Sequence, residues 1–242
     1  MPKKSRLDDL LLSQGYVSDK NDAFIVVTEG RVFVNSQKAV SPAQMIGEND
    51  TVEVRRGREY VGRGAYKLEH AIVQFNIDAR GKICADIGSA TGGFVEVLLK
   101  HGAKKVYAID TARGKLDLKL REDSRVIIME ETDVRDLDKL PEAVDLVTID
   151  VSLISLRGIL PAVRRIAPKA EVIALLKPQY ETRDPEVLKH GVVRDEDARK
   201  KLFDDFTDWL AANGWHVAGS IESPIRGNEG NTEYLFYLRY CK

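Results

Sequence analysis

Residues 83–94 read ICADIGSATGGF. An apolar run ends on an acid and a glycine, and a glycine pair precedes a second apolar stretch. Small and branched apolar residues at 83–87 suit a strand buried on both faces, and Phe94, Val97 and Leu98 fall at helical spacing. Strand, glycine turn and helix in that order predict one βα unit of a parallel sheet. The pattern recurs downstream. Further strands are expected at 105–110 (KVYAID), 125–129 (RVIIM), 145–150 (DLVTID) and 171–176 (EVIALL). Helices are expected over 93–100, 114–121 and 155–166, with Pro161 kinking or splitting the last. Asp195 is placed to cap a long amphipathic helix reaching about Ala212, and Gly214 to stop it. WHVAGSIE (215–222) and EYLFYLRY (233–240) then read as an antiparallel hairpin that closes the sheet. The expected class is α/β, a Rossmann-like sheet of seven strands.

Upstream of Ala65 the pattern differs. Ser5 is placed to cap a first helix, with Asp8 three residues on and Leu7, Leu10 and Leu11 as its apolar stripe. A second helix is expected from about Asp19 to Glu29. RVFV (31–34) and TVEV (51–54) read as strands, with a turn at Asn35-Ser36 and a loop in SPAQMIGEND. This α-α-β-β unit covers residues 1–59. RRGREYVGR (55–63) reads as a basic linker whose end is 60–63, and the α/β domain follows at 64–242. Arg55, Arg56, Arg58, Arg63 and Lys67 put five cations in thirteen residues. That density suits either a solvated hinge or contact with phosphates.

Composition limits the function. The net charge of −1 excludes a strongly basic nucleic-acid coat, so any such surface is a local patch. Two cysteines, Cys84 and Cys241, cannot form a disulfide framework. His70, His101, His190 and His216 are scattered without ligand spacing, so no metal site is expected. Without an apolar run near 18 residues or a signal-peptide core after MPKKSRLDD, the expected location is the cytoplasm.

In an open parallel sheet, ligands bind beyond the carboxyl ends of the strands. Charges stand at or near all five ends: Asp86, Asp110, Asp133, Asp150 and Lys177. The turn DIGSATGGF (86–94) lets backbone approach a ligand at Gly88, Gly92 and Gly93, and the helix start behind it favours an anion. The spacing is D-x-G-x-x-x-G-G and not the dinucleotide fingerprint G-x-G-x-x-G. Asp110, eighteen residues past Gly92, suits a ribose diol. Asp133 suits an adenine amino group. A ligand carrying a carboxylate, a ribose, an adenine and a sulfonium fits these groups, which points to S-adenosylmethionine. The expected cofactor residues are Asp86, Gly88, Ser89, Gly92, Gly93, Phe94, Asp110, Asp133 and Asp150.

The stretches RLDDLLLSQG, GRVFVNSQ, YVGRGAYKL, DIGSATGGF, VDLVTIDVSLISL, LLKPQYE and GNTEYLFYL resemble, in order, the TlyA family, known also as hemolysins. The catalytic half is similar to FtsJ-type ribose methyltransferases. The resemblance implies methyl transfer from S-adenosylmethionine to a ribose 2'-hydroxyl of ribosomal RNA. It also implies a Lys-Asp-Lys-Glu tetrad at Lys67, Asp150, Lys177 and Glu233. The first sixty residues resemble the α-L RNA-binding module named after the fourth small-subunit ribosomal protein. Its second helix carries only Lys20 as a cation, so the RNA contacts expected are Lys3, Lys4, Arg6, Lys20, Arg55, Arg56, Arg58 and Arg63. Two positions depart from the family: TARGK (111–115) replaces a Gly-Tyr-Gly-like turn, and Leu153 replaces an aromatic. Residues 178–194 are a candidate substrate lid. A non-enzymatic ribosome-assembly factor is the alternative. A membrane-active hemolysin is a remoter one, since no segment is long or amphipathic enough to span or line a bilayer.

Overall fold

The computed structural model describes residues 4–28, 30–55, 60–182, 184–227 and 229–241. Two compact units divide at residues 59 and 60.

The first unit runs β1 (Ser5–Arg6), α1 (Leu7–Ser13), α2 (Lys20–Thr28), β2 (Val32–Val34), β3 (Gln37–Lys38), β4 (Met45–Ile46) and β5 (Val52–Val54). β2 lies between β3 and β5 in an antiparallel sheet, and β1 pairs with β4. Leu7, Leu11, Ala23, Val32 and Ile46 form its core. Asn35 and Ser36 both take positive φ, 49° and 66°, as a two-residue hairpin turn demands. Ser5 does not cap α1. Leu7 N bonds Gln44 O at 2.8 Å and Asp8 N bonds Pro42 O at 2.9 Å, so backbone from 42–44 satisfies the first free donors of the helix. Ser5 is drawn into pairing with Ile46 instead, which also gives the expected loop 41–50 a strand.

The second unit opens with α3 (Ala65–Phe75), β6 (Ile83–Ile87), α4 (Gly93–Lys100), β7 (Lys105–Ile109), α5 (Leu118–Arg121) and β8 (Val126–Met129). It continues with β9 (Leu146–Ile149), α6 (Leu156–Ile166), β10 (Glu171–Leu176), α7 (Pro178–Glu181), α8 (Glu196–Ala212), β11 (Trp215–Glu222) and β12 (Tyr234–Tyr240). The seven-stranded sheet has the order β11-β12-β10-β9-β6-β7-β8. Five strands are parallel, and β12 is antiparallel to both β10 and β11. This is the expected α/β class.

Two expectations about helices change. The helix at 114–121 shortens to α5, because Gly114 takes φ +70° and Asp117 caps at the next turn by accepting from Lys119 N. Pro161 does not split α6 into two elements. A helix-interior proline costs about 3 kcal/mol. Six buried side chains on α6, Leu156, Ile159, Leu160, Ala162, Val163 and Ile166, outweigh that, since each large one contributes about 1.5–3 kcal/mol.

Candidate active site

The chain leaves β6 toward β7 and β8 on one side and returns to β9 on the other. A crevice opens at such a switch point, beyond the carboxyl ends of the strands. Here it is a cleft of about 750 Å³ whose lining includes Gly88, Asp110, Asp133 and Asp150 beside the apolar Ile87, Leu153 and Ile159.

Asp110 and Asp133 are held by backbone donors. Asp110 Oδ2 accepts from Ala90 N and Oδ1 from Ala112 N, both at 2.7 Å. Each oxygen keeps a second lone pair for a ligand hydroxyl. Asp133 caps a short 3-10 turn and pairs with Arg135 at 2.5 Å, and the guanidinium holds its carboxyl below the ordinary range. Gly88 takes φ +86°, and a side chain there would collide with the Asp150 carbonyl oxygen. The glycine is what lets the ends of β6 and β9 meet.

Asp86, Ser89, Gly92, Gly93 and Phe94 do not line this cleft. Gly92 takes φ +95° and lies against Leu116 and Leu120, while Gly93 packs on the 62–65 turn, 3.0 Å from Ala65 N if a Cβ is added. Phe94 is buried in the core, and Ser89 Oγ donates to the Asp86 carbonyl at 3.0 Å. Asp86 is fully buried: Thr148 Oγ1 donates to Oδ1 at 2.6 Å, and Oδ2 has no hydrogen-bond partner among the described residues. Burial pushes this carboxyl up to about 7, against the pull of Thr148 and Ser89.

Beside the cleft the four tetrad positions converge from four elements. Lys177 follows β10, and its Nζ lies 2.7 Å from Asp150 Oδ1 at the end of β9. The approach is oblique, a charge contact more than an aligned hydrogen bond. Lys177 Nζ also donates to Ser152 Oγ at 3.0 Å. The β10–β12 register sets Leu176 opposite Tyr234, so Glu233 stands beside Lys177. Glu233 pairs with Lys67 of α3, Nζ to Oε2, at 2.5 Å. The turn that starts α3 meets the other pair, because a Cβ on Gly64 would lie 3.4 Å from Asp150 Oδ2, and Lys67 N bonds Gly64 O at 2.9 Å. Two ammonium and two carboxylate groups are thus gathered in a largely buried site, each charge with a counter-charge.

Sequence reasoning passed over three residues here. Ser152 lies two residues past a strand end, where polar side chains reach a ligand crevice. Asn231, inside the stretch GNTEYLFYL, is buried: Oδ1 accepts from Val193 N at 3.0 Å and Nδ2 donates to Gly191 O at 2.9 Å. It thereby ties the 191–193 turn to the segment that delivers Glu233. Glu181 ends the stretch LLKPQYE, of which only Lys177 was singled out. The stretch 178–194 holds α7, a 3-10 turn at Pro185–Val187 and a bridge between Lys189 and Val192.

The proposed RNA contacts spread over both units. In the first, Arg6 pairs with Asp8 at 2.7 Å, Lys20 with Asp9 at 2.9 Å and Arg55 with Glu53 at 3.2 Å. The Lys20 and Arg55 pairs are exposed and contribute about 0–1 kcal/mol, so phosphates can displace them, whereas Arg6 grips the buried Asp8 with two hydrogen bonds. Lys4 is exposed, as is Arg63 in the second unit. Lys3, Arg56 and Arg58 lie outside the described residues, as does Glu29, the expected end of the second helix. Among the described residues no helix is long and apolar enough to cross a membrane.

Comparison with known proteins finds the FtsJ-like methyltransferase family matching residues 60–240. The chain is 39% identical to Hemolysin A of Brachyspira hyodysenteriae, over 96% of this chain and 99% of that one. It is 38% identical to the 16S/23S rRNA (cytidine-2'-O)-methyltransferase TlyA of Mycobacterium tuberculosis, over 99% of this chain and 91% of that one. A solved hemolysin-like protein from Streptococcus thermophilus superposes with a TM-score of 0.75 at 36% identity, covering 100% of this chain and 90% of that one.

Proposed function

The chain belongs to the FtsJ-like methyltransferase family, in its TlyA group, and on that footing we propose that it methylates a ribose 2'-hydroxyl of ribosomal RNA, with S-adenosylmethionine as donor. The observation that carries this reading is the gathering of Lys67, Asp150, Lys177 and Glu233 beside the acidic cleft.

The cleft fits the donor. Asp110 suits a ribose diol, Asp133 an adenine amino group, and the surrounding carboxylates a cationic centre. Ile87, Leu153 and Ile159 supply apolar walls for a base. Asp86, Gly92 and Gly93 shape the turn from behind. When bound, S-adenosylmethionine supplies an electrophilic methyl carbon on a sulfonium.

The residues of this chain then act on the acceptor. A ribose hydroxyl holds its proton at neutral pH and is a weak nucleophile. Once its ammonium has given a proton to solvent, Lys177 Nζ accepts the hydroxyl proton, and Asp150 stabilises the ammonium that is restored. Lys67 adds positive field for the developing alkoxide and holds a substrate oxygen, and Glu233 orients it. Alignment of the hydroxyl supplies roughly 7–11 kcal/mol of barrier reduction, more than any one proton transfer. Residues 1–59 serve as the α-L RNA-binding module, with Lys3, Lys4, Arg6, Lys20 and the arginines of 55–63 on phosphates.

The test supplies labelled S-adenosylmethionine and separated ribosomal subunits and maps the modified positions. Label on a ribosomal RNA ribose is expected. Label on a base or on protein would overturn the ribose assignment.

A further inference from the structure

Glu181 closes α7, four residues after Lys177, and its side chain is 1% exposed. It does not line the cleft. Its carboxylate reaches the start of α6: Oε2 accepts from Ser155 Oγ at 2.6 Å, and Oε1 accepts from Leu156 N at 2.8 Å. Arg157 Nε stands 3.6 Å from Oε2. A buried carboxylate is costly unless paired and hydrogen-bonded, and these contacts meet that need.

What the carboxylate grips is the segment between Asp150 and α6. That segment carries Ser152, the hydroxyl partner of Lys177. It also carries Leu153, a side-chain-bearing residue held at φ +65° although it is 87% exposed. The β9–β10 ladder ends at the pair Ile149 and Ala174, so strand pairing no longer fixes the spacing where Asp150 and Lys177 stand. β9 ends there, β10 runs on to Leu176 beside β12 alone, and Glu181 rejoins the two segments a few residues on.

We propose that Glu181 is a positioning residue that holds Lys177 in register with Asp150 and Ser152 by stapling α7 to the start of α6. The proposal rests on the reading of Lys177 and Asp150 as the catalytic pair. Its consequence falls mainly on turnover: loosening the staple moves Lys177 against the acceptor hydroxyl, while Asp110 and Asp133 keep their own partners and only the Leu153 wall of the cleft moves with the segment.

The experiment compares E181A, E181Q and S155A in the full chain. E181A is expected to lower kcat about 10- to 100-fold, as misplacement of a reacting group by about 1 Å does, with a much smaller fall in S-adenosylmethionine affinity by calorimetry. E181Q is expected to recover most of the loss, because its amide oxygen still accepts from Leu156 N and its amide nitrogen donates to Ser155 Oγ. A second readout needs no cofactor and no substrate. In protein labelled with ¹³C-lysine, the Lys177 Cε signal, assigned through K177R, is expected to shift in E181A and, by less, in S155A. S155A keeps the Leu156 contact, so it reports even where E181A does not fold. An unmoved Lys177 signal in a folded variant, or a loss of kcat matched by loss of cofactor affinity, would overturn the proposal. If the wild type modifies no ribosomal RNA while the Lys177 signal responds as expected, the functional reading fails and the staple stands.

Discussion

Lys67 Nζ and Glu233 Oε2 lie 2.5 Å apart across 166 residues of chain, with side-chain exposures of 9% and 3%. Removing one partner leaves the other charge buried and alone. E233A is therefore expected to cost about 3–5 kcal/mol, whereas the double variant K67M/E233L regains most of that stability. Denaturant midpoints measure both. The double variant remains inactive, because stability and positive field at the acceptor are separate contributions. A double variant as unstable as E233A would contradict this account.

Lys177 meets Asp150 and Ser152 at 2.7 and 3.0 Å, and the proposed mechanism makes its nitrogen the proton acceptor. K177A is expected to lose about 10²–10⁴-fold in kcat, the range of a general base, and to lower the melting temperature as well, because Asp150 is left without its counter-charge. K177R keeps a cation but offers no amine lone pair, and the same loss is expected. Single-turnover methyl transfer separates this from an effect on binding. Full activity in K177R would limit Lys177 to an electrostatic role.

Asp86 makes stability depend on pH in an unusual direction. Its carboxyl, pushed up to about 7 in the fold against an ordinary 3.8, binds its proton more tightly folded than unfolded. Its contribution is therefore complete below the unfolded value and is lost as pH rises toward 7. D86N does not titrate. Between pH 5 and 8 it should gain on the wild type by about 2–3 kcal/mol, at about 1.4 kcal/mol per pH unit. Urea titrations at the two pH values give the difference directly, and a constant difference would refute the burial argument.

Gly88 and Gly92 should respond differently to alanine. At Gly88 the added carbon meets the backbone oxygen of Asp150, which cannot turn aside. At Gly92 it meets the side chains of Leu116 and Leu120, which can be shortened. Both substitutions also strain a left-handed backbone, by about 1–2 kcal/mol. L120A is thus expected to restore part of the stability lost in G92A and none of that lost in G88A. Thermal melts of the two double variants provide the check.

The strands and most helices were legible from the chain because each is encoded locally. ICADI and EVIALL occupy 83–87 and 171–176 as their apolar runs required, and α4 spans 93–100 as its spacing indicated. The cap at Ser5 was not legible, since the donors it would have satisfied bond to Gln44 and Pro42, far along the chain. The glycine turn was only half legible: its conformation followed from composition, but leucines of another segment fill the space expected to face a ligand.

The sequence by itself determined the α/β class and the carboxylates at the strand ends, and its ordered motifs, through their resemblance to the family, pointed to the four residues proposed as the tetrad. Only the tertiary structure decided how those four pair, Lys67 with Glu233 and Lys177 with Asp150, and that Glu181 ties the segments behind them. The physical reason is range. Backbone propensity and apolar periodicity act over a few residues, whereas a counter-charge is chosen by which elements the sheet order brings together.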